Sequence, residues 1–533
     1  MGKKTWISIG VSTVILTIVA CVMWLNVTRH YEDNNPFDRI PTTVLAVFKI
    51  NGIDNLNADF NTSNYYNDLN EILHNDMLRA AYHDIDSLLG YANITAPIVS
   101  QRDRYVAIFD LMSDTENAAF AIKLNNYLEG LTIKRKLKNI EVFSPSDTTI
   151  LNNDVTTLTI NGRSYFLSII DGTLFFTNSN LLTAEIVSND TEKMSDDVSF
   201  TTIERTASEN ATVSLYVNTQ LLNLLLVDNV DFTKMAKWVE LDLCFDKKTM
   251  SASGFASASY NSHLISMAAN KPKTFGIDKY IPSDAKMFLS YVSGYRGLSN
   301  EAFVCQLAQN QRQADYRARQ EKNFEKYNID IEDLLAQVFS GDIAVYSTST
   351  TLADTANTCL ITLSDNGTIT QATLNSLIGT LHNTETPQQV GEIKPTPDLT
   401  IPVYKAFNDD DDLFFMTELF SYVPHKYYMR YENTIFMADN IEMLKHTLYE
   451  NQLSRTLGND ADFRNFRSTY SDENICFLFL NSDVLLRYVK EKTQTSNELK
   501  RQQATNNFYG LGIQISALGG LKLPYLSLSL HHE

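Results

Sequence analysis

Phe200-Thr-Thr-Ile-Glu-Arg-Thr206-Ala-Ser208, followed by Val213-Ser-Leu215-Tyr-Val217-Asn218, is the stretch on which the reading of the fold turns. It returns 263 residues later as Phe463-Arg-Asn-Phe-Arg-Ser-Thr469-Tyr-Ser471 and Cys476-Phe-Leu478-Phe-Leu480-Asn481. Six of the 23 positions from 200 to 222 are identical at that offset, and most differing positions on the apolar face stay apolar. Upstream, Asp171-Gly-Thr173-Leu-Phe175 meets Glu432-Asn-Thr434-Ile-Phe436 at an offset of 261. Weaker matches keep the order, Ile40-Pro41 with Ile281-Pro282 and Val106-Ala-Ile-Phe109 with Ile343-Ala-Val-Tyr346. A collinear series of this kind predicts two tandem, diverged copies of one domain, 37–275 and 276–533, joined near Asn270-Lys-Pro-Lys273.

Working outward, each copy shows the same succession of signals. An Ile-Pro step opens an apolar strand (44–50; 287–292), and a helical stretch follows (69–81; 299 to about 325). Two strands come next (105–111 and 119–124; 343–347 and 358–363), then a hairpin turning at Asp171-Gly172 or Glu432-Asn433. Short helices (181–187; 442–449) precede a second helix, a strand, and a helix capped by Asn218 or Asn481. Each copy closes on a strand pair (239–245 with 251–259; 509–516 with 524–531). Leu241, Leu243 and Phe245 alternate with Asp242, Cys244 and Asp246, the period-two pattern of a half-solvated antiparallel sheet. Strands of this type with helices on one side predict an α+β fold of mixed helix and antiparallel sheet in each copy.

The composition suits a large globular body. The 533 residues are 44% hydrophobic and 20% charged, enough to bury a core without disulfide or metal support. A net charge of −19 argues against a nucleic-acid partner, since phosphates demand a basic surface. Ahead of that body, residues 6–27 carry no charge over 22 positions, enough to span a bilayer as a helix. Lys3 and Lys4 precede the run, and Glu32 and Asp33 follow it, so a cytoplasmic stub (1–5) and an exported chain are expected. The run then serves as transmembrane anchor or uncleaved signal, with 28–36 as linker. Two processing alternatives compete: a lipoprotein, since Ile18-Val-Ala-Cys21 resembles a lipidation box with Cys21 as the acylated residue although Val22-Met-Trp-Leu25 continues the apolar run, and plain signal cleavage, for which no Ala-x-Ala site ends the run.

The search for chemistry returns few candidates. Asp409, Asp410, Asp411 and Asp412 supply metal-type oxygens, but without the alternating spacing, central Gly and distal Glu of a calcium loop. They read more simply as a solvated turn. Around Asn366-Gly367, the first and twelfth ligand places of a calcium loop fall on Thr362 and Thr373, so a turn leading into a strand or helix is the better reading. Gly510-Leu-Gly512 starts like a dinucleotide motif but lacks the third Gly and the helix. No cofactor is expected. Cys244, Cys305, Cys359 and Cys476 are too far apart for a zinc knuckle, and Cys476 falls where Val213 stands, a core position for a free thiol. Lys134-Arg-Lys-Leu-Lys138 reads as a solvated strand or turn, and His531-His532 as solvent-facing. Residues 309–326, polar and charged, read as a helix end or a partner surface. No catalytic residue is identified.

Asn35-Pro-Phe37 with Ile40-Pro41, Ser253-Gly-Phe255, Tyr280-Ile-Pro-Ser283 and Gly510-Leu-Gly512 carry a family resemblance. Together they resemble uncharacterised membrane-anchored proteins of Bacteroidetes, grouped only as a domain of unknown function. The resemblance implies a cell-envelope setting and transfers no catalytic residue. The expected function is therefore a membrane-tethered, extracytoplasmic (periplasmic) protein of binding or structural type, in the inner membrane and non-enzymatic. An envelope protein or glycan is the expected partner. The alternatives are an envelope hydrolase with a carboxylate acid/base pair, and an assembly or quality-control factor for exported proteins.

Overall fold

A computed structural model describes residues 34–51, 62–73, 103–109, 117–125, 127–221, 236–257, 271–292, 330–352, 354–408, 424–492, 498–517 and 523–533, with scattered positions between them. The expected membrane helix (6–27) and most of the expected helix 299–325 lie outside these residues. Among the described residues no helix is long and apolar enough to cross a membrane.

Chain contacts divide the molecule into two compact units. One comprises 1–58, 75–201 and 208–221, the other 59–74, 202–207 and 222–533. The first holds strands β1 (Ala46–Asn51), β2 (Asp103–Ile108), β3 (Ala118–Lys123), β4 (Ser146–Ile150), β5 (Asn153–Ile160), β6 (Arg163–Ile170), β7 (Thr173–Thr177) and β8 (Val213–Asn218). Their pairings run β4-β5-β6-β7-β3-β2-β1-β8, all antiparallel. The second holds β9 (Trp238–Phe245), β10 (Thr249–Ser257), β11 (Lys273–Thr274), β12 (Met287–Tyr291), β13 (Ile343–Ser347), β14 (Thr358–Leu363), β15 (Gln389–Thr396), β16 (Leu399–Lys405), β17 (Tyr427–Tyr431), β18 (Thr434–Ala438), β19 (Glu473–Asn474), β20 (Cys476–Asn481), β21 (Phe508–Ala517) and β22 (Pro524–His532). Here the antiparallel order is β15-β16-β17-β18-β14-β13-β12-β20, the succession of the first unit again, and then β21-β22-β10-β9. Strands β11 and β19 form a separate small ribbon.

The helices used below are α1 (Tyr66–Leu73), α2 (Tyr127–Lys138), α3 (Asn180–Val187), α4 (Val198–Glu204), α5 (Ile331–Val338), α6 (Gly367–His382), α7 (Ile441–Gln452), α8 (Ala461–Arg467), α9 (Ser482–Lys492) and α10 (Glu498–Asn506).

The expected fold class is overturned. In place of two α+β domains, each closed by its own strand pair, the described chain is mostly antiparallel sheet, eight strands paired in the first unit and twelve in the second. The pair expected to close the first copy, β9 and β10, belongs to the second unit, where Thr249 lies opposite His531 and Phe255 opposite Tyr525. The physical reason is edge pairing: a half-solvated hairpin leaves one row of backbone groups open, and β22 satisfies that of β10. Helices also fail to segregate to one side in the second unit. Ile343, Val345, Leu360, Ile435 and Met437 pack with Leu335 of α5 and Leu374, Leu377 and Ile378 of α6. Their neighbours Ala344, Tyr346, Ile361, Phe436 and Ala438 face the other way, against Met443, Leu444 and Leu448 of α7 and Phe463 and Phe466 of α8. Burial on both faces explains why these strands are apolar throughout instead of alternating. In the first unit Ile133 and Leu137 of α2 close a core with Phe120, Leu158, Tyr165, Leu167 and Phe176.

Turn chemistry shapes the first unit. Leu151-Asn152, Asn161-Gly162 and Asp171-Gly172 have positive φ at both positions, so β4 to β7 are joined by three successive tight hairpins.

Candidate functional site

The second unit opens a cleft where two helices meet end to end. Helix α5 starts after Asp330, whose Oδ1 accepts a hydrogen bond from Asp333 N at 3.1 Å. Helix α6 starts at Asn366, whose Oδ1 accepts from Thr368 N and Ile369 N, both at 3.2 Å. Gly367 N donates to Asn433 Oδ1 at 3.2 Å, and a Cβ on Gly367 would lie 2.6 Å from Glu432 O. The first turn of α6 is thereby tied down to the β17–β18 hairpin. Between the end of α5 and this turn lies a cleft of about 430 Å³. Ala336 and Ile369 supply an apolar wall, and Ile369 is 63% exposed. Gln337, Ser340 and Asp365 bring an amide, a hydroxyl and a carboxylate to the rim, with Thr370 and Thr373 on the α6 side. Single polar groups around an apolar wall are the makeup of a small-ligand site.

Three polar groups, enclosed to different degrees, lie elsewhere in the same unit. His532 Nε2 stands 2.9 Å from Asp68 Oδ2, and Asn507 Nδ2 donates to that oxygen at 2.8 Å. The Phe508 ring meets the imidazole edge-on at 5.2 Å. This contact joins α1 to the last strand. Glu240, on β9, is fully buried; its Oε2 accepts from Thr206 Oγ1 at 3.4 Å, and its Oε1 has no partner among the described residues. Burial, reinforced by Asp242, pushes its carboxyl up to about 9, so it is protonated at neutral pH. Gly254 stands opposite, where a Cβ would lie 2.0 Å from Glu240 O. That packing leaves no room for a substrate beside the carboxyl. Arg467, on α8, lies over the rings of Phe275 and Phe477 at 5.0 Å each and donates from Nη2 to Ser471 O at 2.8 Å. Desolvation lowers its pKa, and its Nε and Nη1 have no partner among the described residues.

The residues singled out in the sequence fall as follows. Cys21, Cys305 and Asp409 to Asp412 lie outside the described residues, as does most of 309–326. Among the described residues no three or more His, Cys, Asp or Glu side chains are placed to hold a metal ion. Cys359 and Cys476 are buried free thiols pushed up to about 12 by burial, while Cys244 is exposed. Thr362 is buried in β14 and Thr373 lies on α6, so the two do not frame a calcium loop. Gly510 and Gly512 lie in β21, where a Cβ on Gly512 would meet Tyr470 Oη at 2.3 Å. The basic run 134–138 is helical, in the last turns of α2, not a strand or turn. Lys138 pairs with Asp147 at 2.5 Å and Lys134 approaches Asp154 at 4.0 Å. His532 is not solvent-facing; its side chain is 13% exposed. The cleft is foreshadowed only by Asn366-Gly367, and the Asp68–His532 contact by nothing local in the chain.

Searches against protein-family models, curated proteins and solved structures find no match to this chain, so the assignment rests on the residues themselves.

Proposed function

We propose that the chain is a non-enzymatic binding protein of the cell envelope, held in the inner membrane by residues 6–27 with its body on the extracytoplasmic side. The observation that carries this reading is the α5–α6 cleft. It presents hydroxyls, amides and one carboxylate on an apolar wall, mounted on helices with capped ends, a set suited to holding a ligand. The uncharged run 6–27 behind Lys3 and Lys4 supports the tether. Among the described residues Glu240 and Asp242 form one interacting carboxyl pair of the kind a hydrolase would need, and the burial of Glu240 speaks for a structural role there.

The test uses the tagged full-length chain in its native envelope. Expected are sedimentation with membranes that survives carbonate extraction, and reproducible capture of an envelope protein or glycan after detergent solubilisation. Release by carbonate, or a mature N-terminus at Cys21 carrying lipid, overturns the helical anchor. Turnover of an envelope polymer that Glu240→Gln abolishes overturns the non-enzymatic reading.

A further inference from the structure

We propose that the α5–α6 cleft recognises an alkylammonium group, a primary ammonium carried on an aliphatic stem. The inference rests on the binding reading above and names the ligand chemistry of its site. Charge selects the sign. Among the described lining residues Asp365 is the one that ionises, and it sets the local charge as negative. The net charge of −19 adds a long-range field of the same sign. An anion finds little there, because the amides at the start of α6 are already bonded to Asn366 and Asn433.

Hydrogen bonding selects the head group. An ammonium has three donors and no acceptor, so it requires a set of acceptors around it. The Asp365 carboxylate, the Gln337 amide oxygen and the Ser340 hydroxyl form such a set, and all three residues are exposed. The apolar wall selects the stem. Ile369 stands largely bare on the α6 side, a surface that methylenes can cover while the charged end stays at the rim. Among the described lining residues there is no aromatic ring, which disfavours a planar base that would stack.

The same chemistry reaches an envelope protein from two sources, a free diamine or the lysine side chain of a partner. Titration calorimetry on the full-length chain in detergent separates them, with 1,5-diaminopentane and N-acetyl-lysine amide as probes and N-acetyl-norleucine amide as the uncharged control. Saturable binding of one or both charged probes is expected, and the probe that binds names the source. Asp365→Asn should weaken it about tenfold, since it removes a charge-assisted contact. Ile369→Ala should weaken it about threefold through lost apolar cover. Asp398→Asn, an exposed carboxylate in the β15–β16 turn, should leave it unchanged. No saturation by either charged probe up to about 10 mM overturns the proposal. So does equal binding of the norleucine control, or an equal effect of Asp398→Asn. Capture of an envelope partner that persists in the Asp365→Asn chain, with no ammonium binding, removes this ligand and leaves the binding reading intact.

Discussion

Glu240 shows what a single buried carboxyl does to a strand whose pattern looks half-solvated. On alternation alone Glu240 belongs with Asp242 and Cys244 on the open face, yet it is fully buried while Cys244 is exposed. Sequence periodicity assigns a residue to a face but does not say what covers that face. The energetic consequence has a definite sign. Between an ordinary Glu value near 4.5 and the folded value of about 9, the unfolded chain has released the proton and the folded chain still holds it. The folded state binds more protons in this window, so stability falls as pH rises, by about 1.4 kcal/mol per pH unit from this group. Glu240→Gln removes the titration while keeping the shape. Urea unfolding should show the variant gaining on the parent by about 3 kcal/mol between pH 5.5 and pH 8. Parallel stability curves across that range would mean that Glu240 is ionised in the folded protein.

At the level of elements, the hairpins of the first unit and the Gly254 position separate two demands on glycine. Gly162 has φ +79°, and a Cβ added there would meet nothing within 4 Å, whereas a Cβ on Gly254 would strike the Glu240 backbone oxygen. Gly162→Ala should therefore cost only the left-handed backbone term, about 1 kcal/mol. Gly254→Ala should cost more than about 3 kcal/mol, because β9 and β10 must move apart. Equal losses in thermal unfolding would overturn that distinction. The same elements show how much can be read from the chain alone. Strands β13 and β14 are legible to the residue at Ile343–Ser347 and Thr358–Leu363, since burial on both faces leaves an unbroken apolar run. The β4–β5 hairpin is not legible, because Ser146-Asp-Thr-Thr-Ile150 is an exposed edge strand with no apolar face. Helix α6 is legible only in part: Asn366-Gly367 announces a start, but Thr and Ser at many of its positions mask the spacing of Leu374, Leu377 and Ile378. The cleft inherits that gap, because its walls are the ends of two helices whose meeting no local pattern encodes.

For the molecule as a whole, the least legible feature is which distant segment each open edge finds. Strand β22 is hydrogen-bonded on one side to β21 and on the other to β10, so the last residues of the chain sit inside the sheet of the second unit. Helix α1 packs against α10 in the same unit, and Asp68 on α1 accepts from both Asn507 and the His532 imidazole. The pair is mostly enclosed, with side-chain exposures of 13% for His532 and 23% for Asp68. Removing Asp68 leaves the His532 imidazole and the Asn507 amide without their shared acceptor in a poorly solvated place, at a cost of about 1–3 kcal/mol, whereas removing His532 leaves Asp68 its Asn507 bond and should cost less. These contacts, with the Tyr65 hydroxyl on Thr249 O, tie α1 to the rest of the unit, so that cost should fall locally. Asp68→Ala and His532→Ala should each raise amide exchange over 64–73 and 507–508 well before the sheet exchanges. The double variant should be no worse than Asp68→Ala alone, since that substitution already deletes the contacts of Asp68 with both His532 and Asn507. Additive losses would show instead that the two side chains act independently, and exchange that spreads at once through β21 and β22 would show that the terminal strand and α1 fold as one unit with the sheet.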